Sequence, residues 1–173
     1  MKRIVAIDPG KTGAAAIRYR FKGEEQVYCS PFPPTQSALV IMLTERFKLC
    51  EEDVVYIEEV RGYIGTAHPG ARMFNFGVNY GLLQGVLECC KCKVVNVLPR
   101  TWQKALNLGT KGDLSRAAWK RHLKKQAAER WPEEYVTLKN ADALLILSYA
   151  INQETKQVNG SEVEAVPQVE ESA

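Results

Sequence analysis

The chain has no apolar run approaching the roughly 20 residues that cross a bilayer, and its first residues lack the charged, long apolar and small-residue succession of a secretory leader. A chain working in the cytoplasm, of a bacterial or phage-infected cell, is expected, with no membrane partner. Only two histidines, His68 and His122, are present, and their spacing matches no zinc site. The five cysteines are an odd number. Cys89, Cys90 and Cys92 crowd together without the two C-x2-C pairs of a structural zinc knuckle, so disulfide scaffolding and zinc ribbons are set aside. No duplicated domain with phosphate-binding loops fits into 173 residues, which excludes an actin-like sugar kinase.

What is present suits one globular body. Hydrophobic residues make up 46% of the chain, enough for a substantial core. The net charge of +3 is unevenly spread. Nine Lys or Arg between Arg100 and Arg130 face only Asp113 and Glu129, a local charge of +7. Residues 154–173 carry −4 without apolar periodicity. The expected organisation is a folded domain over 1–153 and an acidic, disordered tail over 154–173. The basic body favours a polyanionic partner.

The chain is organised around Ile4-Val5-Ala6-Ile7-Asp8-Pro9-Gly10, a buried strand that delivers one carboxylate at its end and then turns. Strands are expected at 3–8, 14–20 and 26–30 as an antiparallel meander, then a helix over 36–48 capped by Thr35. Val54-Val55-Tyr56-Ile57 repeats the first design and ends in Glu58-Glu59, which predicts a strand parallel to the first. A loop over 62–72 and a helix over 74–90 follow. Gly77, Gly81 and Gly85 share one face of that helix and imply a close backbone approach. A strand at 94–98, helices at 101–106 and 114–131, and a last helix over 140–152 with Asp142 in its first turn complete the chain.

Asp8, Glu58 or Glu59, and Asp142 thus stand at the ends of elements of one α/β body. Carboxylate clusters cut phosphodiesters by holding hard divalent ions that activate water and stabilise the leaving oxyanion, so Mg2+ or Mn2+ is the expected cofactor. For DNA, Lys104, Lys111, Arg116, Lys120, Lys124 and Lys125 are the phosphate candidates. Tyr63, Phe74 and Phe76 are candidates for stacking on unpaired bases, with core packing the stronger reading for Phe76. Trp102, Trp119 and Trp131 are assigned to packing.

Four segments in register carry a resemblance: Ile7-Asp8-Pro9-Gly10 with Gly13, Tyr56-Ile57-Glu58-Glu59, Leu98-Pro99-x-x-Trp102-Gln103-Lys104, and Ala141-Asp142-Ala143-Leu144-Leu145-Ile146. Together they resemble the RuvC-type Holliday junction resolvases, especially the phage-type members, within the ribonuclease H-like superfamily. The resemblance spans about residues 3–152. It implies a ribonuclease H-like mixed five-stranded sheet flanked by helices, a homodimer, and Mg2+-dependent cutting of branched DNA such as four-way junctions. It implies Asp8, Glu58 and Asp142 as catalytic and metal-binding residues, Glu58 being preferred to Glu59 because the family's glutamate directly follows the apolar strand; side-chain alternation then aims Glu59 the other way. The sequence departs from the pattern three and four residues before Asp142, where relatives carry an acid or histidine and Lys139 and Leu138 stand here. Asn140, Glu59 or Glu134 are the substitutes the chain offers, and Lys139 is itself placed to meet a phosphate. A less selective branched-DNA or flap nuclease of the same fold, and a junction-binding protein with lost or weak cleavage, are the alternative functions.

Overall fold

The computed structural model describes residues 2–10, 12–59 and 70–163, without side chains for 71–73 and 159–163. The expectations for Tyr63, His68, the 62–69 part of the loop and the last ten residues of the tail lie outside the described residues.

Five strands form one sheet in the order β3-β2-β1-β4-β5, with β1 at Ile4–Asp8, β2 at Ala14–Phe21, β3 at Glu24–Pro31, β4 at Val54–Glu58 and β5 at Lys93–Val97. The first three are an antiparallel meander, and β1-β4 and β4-β5 pair in parallel. The β2-β3 turn is two residues, Lys22 and Gly23, both at positive φ, the geometry whose twist matches that of the strands it joins. The helices are α1 (Gln36–Ile41, continued by a π-helical turn to Arg46), α2 (Gly70–Cys89), α3 (Pro99–Ala105), α4 (Arg116–Arg130) and α5 (Ala141–Val163).

Alternation along the strands sorts the core into two layers. Val5, Ile7, Val55 and Ile57 point to the side covered by α1 and α2, where Leu43, Phe47, Leu83 and Leu87 pack. Ile4, Ala6, Val54 and Tyr56 point to the opposite side and meet Trp102 of α3, Trp119 and Leu123 of α4, and the apolar run Ala143–Leu147 of α5. Because the central strands are covered on both faces, their sequences read as continuous apolar runs.

Local signals set the element ends. Thr35 Oγ1 accepts from Ala38 N and Ser115 Oγ from Ala118 N, each satisfying an orphan amide of a first helical turn. Pro99, expected to stop β5, also opens α3 at its first position, where a missing N–H costs nothing.

Two expectations are corrected. The last helix does not end near Asn152 but continues to Val163, so the first half of the supposed tail is helical. One reason is a distant anchor, the Tyr56 hydroxyl donating to Glu154 Oε1 at 2.8 Å. The glycines of α2 do not mark a close approach: a Cβ built at Gly77, Gly81 or Gly85 meets nothing within 4 Å. Among the described residues no helix is long and apolar enough to cross a membrane.

The parallel pairing is fixed at its entrance by a fully buried carboxylate. Asp53 takes two bonds from Arg3, Nε to Oδ1 at 2.7 Å and Nη2 to Oδ2 at 2.6 Å, and a third from Cys50 N at 2.9 Å. Arg3 also donates to the carbonyls of Phe47 and Lys48. The clamp ties the start of β1 to the start of β4 and to the loop that joins α1 to it. Asp53→Ala leaves a half-buried guanidinium short of acceptors and is expected to lower stability by about 2–4 kcal/mol, read as a shifted urea midpoint at unchanged slope.

Candidate functional site

The clamp sets the register Ile4↔Val54 through Ile7↔Ile57, and one residue further along each strand stand Asp8 and Glu58. Both side chains follow Ile4, Ala6, Val54 and Tyr56 onto the α5 side, while Glu59 is turned the other way and its amide continues the ladder to Val97 O at 2.8 Å. Asp142, in the first turn of α5, completes the group, because α5 packs along β1. Residues 8, 58 and 142 are thereby brought to one pole of the sheet.

Each carboxylate is held from its own side. Asp8 Oδ1 accepts from Gly10 N at 3.2 Å, across the turn that follows β1. That turn depends on Gly13, whose added Cβ would lie 2.0 Å from the Asp8 carbonyl oxygen. Glu58 Oε2 accepts from the indole N–H of Trp102 at 3.0 Å, and Trp102 is fully buried. Asp142 accepts a hydrogen bond from Lys120 Nζ through Oδ2, while its buried Oδ1 has no hydrogen-bond partner.

The electrostatics follow. Burial, then the nearby Asp142 charge, push Asp8 up to about 6 against the opposing pull of Lys120 and the Gly10 amide. Burial, then Asp8 and Asp142, push Glu58 up to about 8, with Trp102 and Lys120 opposing. For Lys120, burial disfavours the ammonium, but Asp142, Asp8 and Glu58 together outweigh it and its pKa is raised. Three acids therefore share one ammonium.

A hard divalent cation fits this set in donor chemistry and in charge: carboxylate oxygens from three elements, an unpartnered Asp142 Oδ1, and surplus negative charge. As they stand, no three His, Cys, Asp or Glu side chains among the described residues are gathered closely enough to hold one. One of the three, Asp142, is paired with the Lys120 ammonium. Of the substitutes for a fourth ligand, Asn140 is engaged elsewhere, its Oδ1 accepting from Thr137 N at 2.6 Å and Thr137 Oγ1 at 3.0 Å. Glu134 sits with Arg18, Glu25 and Trp131 around a separate cavity.

Lys120, placed by the sequence among the phosphate contacts, is ion-paired with Asp142 in the acid cluster, a position the sequence did not indicate. Trp102, assigned to packing, is both packed and bonded to Glu58. Its place in the quoted L-P-x-x-W-Q-K segment was the available signal, since a buried indole N–H needs an acceptor. The remaining basic residues, Lys104, Lys111, Arg116, Lys124, Lys125 and Lys139, are exposed. Lys104 and Lys111 line one open cavity of about 820 Å³ with Arg100, which the sequence reading left out. Lys139 and Gly10 line another of about 640 Å³ beside the Asp8 turn. Phe74 is 71% exposed and Phe76 half-buried.

Comparison with solved structures finds similar chains, among them two of RuvC. Thermus thermophilus RuvC superposes with a TM-score of 0.52 at 17% identity, over 88% of this chain and 97% of that one. T. thermophilus RuvC in complex with Holliday junction substrate gives 0.55 at 14% identity over the same shares. No family model matches the sequence, and no curated protein does. The chain thus has the RuvC-like, ribonuclease H-like fold, a mixed five-stranded sheet with flanking helices.

The raised acids make stability depend on pH. Unfolded Asp and Glu titrate near 4, whereas folded Asp8 and Glu58 hold their protons to about 6 and about 8, so the native state binds more protons across that window. Stability of the metal-free protein is therefore expected to fall as pH rises from about 4 to 8. Asp8→Asn is expected to recover about 1–2 kcal/mol at pH 8, a figure discounted because Asp8 and Glu58 are not fully buried. Thermal melts of both proteins at pH 5 and pH 8 in chelator read this directly.

Proposed function

We propose that the protein is a metal-dependent, structure-selective endodeoxyribonuclease that cuts four-way DNA junctions as a homodimer in the cytoplasm. The observation that carries the reading is the acid cluster: carboxylates from β1, β4 and α5 meet at one pole of a RuvC-like sheet, with more negative charge than the single lysine there neutralises. The Holliday junction bound to the T. thermophilus neighbour supplies the substrate class.

Asp8, Glu58 and Asp142 are the residues that would hold Mg2+ or Mn2+. When bound, the ion supplies an activated water and charge for the leaving 3′ oxygen. The chain's own groups do the positioning. The Gly10 amide fixes Asp8, the Trp102 indole fixes Glu58, and α5 presents Asp142. Lys120, between the acids and the basic face of α4, neutralises Asp142 and is poised to meet the scissile phosphate. Lys124 and Lys125, exposed on α4, with Lys104, Lys111, Arg116 and Lys139, hold the DNA backbone. Exposed Phe74 and Val78, with glycines on α2 that face open space, support an isologous contact between two copies.

One observation favours a second reading, a junction-binding protein with weak or lost cleavage. Leu138 and Lys139 stand where an acid or histidine would complete the ligand set, and no metal-binding group of three is gathered among the described residues. Nicking of a labelled four-way junction beside linear duplex, flap and single-stranded controls, in Mg2+, Mn2+ and chelator, separates the two. The resolvase reading expects symmetric metal-dependent cuts confined to the junction; tight binding with no cuts in either metal gives the second.

Asp8→Asn is expected to lower cleavage by at least about 10³-fold while junction affinity holds or rises, since a charge facing the phosphate is removed. Equal loss of folding and binding would sink the assignment of the site. Lys124→Gln with Lys125→Gln is expected to weaken binding and to reduce the slope of log affinity against log salt by about 1–2.

A further inference from the structure

The segment between α4 and α5 is built from the inside out. At its centre the Asn140 side chain, 5% exposed, accepts from the backbone and hydroxyl of Thr137 and donates through Nδ2 to the Tyr135 carbonyl at 3.1 Å. Thr137 Oγ1 accepts in turn from Lys139 N at 3.2 Å, and Asn140 O accepts from Leu144 N at 3.1 Å, joining the loop to the first turn of α5. Val136 is buried beneath. The backbone from 135 to 140 is therefore pinned by a satisfied polar network and one apolar anchor.

Outward from this pinned backbone the loop presents large side chains to water. Tyr135 is 88% exposed and Leu138 52%, with exposed Lys139 next to it. An exposed leucine is ordinary by itself. A nearly fully exposed tyrosine and a leucine on a loop held by five hydrogen bonds, ending two residues before Asp142, are a preformed surface whose ordering cost is already met by folding. Its position is set by its neighbours: Lys139 shares a cavity with Gly10 of the Asp8 turn on one side, and Glu134 meets Arg18 and Glu25 of β2 and β3 on the other. The surface thus flanks the acid pole, with β2 and β3 on one side and, across the cavity that Lys139 lines, Asn75 and Val78 of α2 on the other.

We infer that Tyr135 and Leu138 form a stacking platform for an unpaired nucleobase of the substrate strand, with Lys139 on the adjoining phosphate. A tyrosine ring offers a rigid π face at low entropic cost, and base stacking on such a ring contributes about 1–3 kcal/mol per base. A branched apolar side chain is the kind that wedges into an opened base step. The lysine supplies the charge complementarity that a purely apolar partner would not need. The inference rests on DNA being the substrate, and it adds a base contact on the α5 side of the site.

The test uses the full chain in Ca2+ with a four-way junction carrying 2-aminopurine at successive positions around the branch, beside a linear duplex. Binding is read by anisotropy and stacking by 2-aminopurine fluorescence. Tyr135→Ala is expected to lose about 5- to 100-fold in junction affinity and to change the fluorescence at one or two branch positions, with duplex affinity within 2-fold of wild type. Tyr135→Phe should retain both signals, and Leu138→Ala should show the smaller loss at the same positions. Because both side chains are exposed, the variants are expected to melt with wild type. Junction binding and fluorescence unchanged in Tyr135→Ala, with wild type binding normally, overturns the platform. A wild-type protein that binds neither DNA overturns the nucleic-acid reading and the platform with it.

Discussion

Two carboxylates that end neighbouring parallel strands on the same face cannot both ionise cheaply, and much of this molecule is arranged around that constraint. Parallel pairing of β1 and β4 in register puts Asp8 and Glu58 side by side, and α5 adds Asp142 to them. The repulsion is tolerated because other parts of the chain supply the opposing bonds: an amide from the turn after β1, an indole from α3, an ammonium from α4. Each helix on that side of the sheet thus has an electrostatic task as well as a packing one. The Arg3–Asp53 pair at the other pole keeps the strands from slipping, and a one-residue slip would aim one of the two acids into the opposite layer.

Much of this was legible in the residues. Apolar runs that end in an acid announce a doubly covered strand with a carboxylate at its edge, and the paired design at Ile4–Asp8 and Val54–Glu58 announces parallel neighbours. The meander, the caps at Thr35 and the basic helix followed from local chemistry. The misreadings were of long-range origin. The α2 glycines carry a spacing, but whether a backbone lies against them is a tertiary fact. The last helix looked finished at Asn152 because composition turns acidic there, yet Tyr56, about a hundred positions earlier, holds Glu154. Lys120 and Trp102 looked like one more lysine and one more core tryptophan. Only packing α3 and α4 against the sheet shows that both reach carboxylates, since neither carries a mark along the chain of which way it points.

The charge pattern of α4 reads differently once Lys120 is placed. The helix is not uniformly a phosphate-binding face: Trp119, Leu123 and Ala127 are buried, Lys120 turns inward to the acids, and Lys124 and Lys125 stay in solvent. One element therefore links the acid pole to the outer basic surface, with Lys120 at one end of the link and Lys124 and Lys125 in solvent at the other.

The cluster draws its members from the beginning, the middle and the end of the chain, with the stabilising lysine late as well. A growing polypeptide reaches the meander early, gains the second acid with β4, and holds those two without Lys120 or Asp142 until α4 and α5 have been made. Interrupted synthesis or proteolytic trimming just before α5 would leave the five strands with a repulsive pair and an apolar face that α5 no longer covers, which favours misfolding. No fragment short of α5 therefore brings the three carboxylates together, and the electrostatic strain at this pole is complete only when the whole fold is.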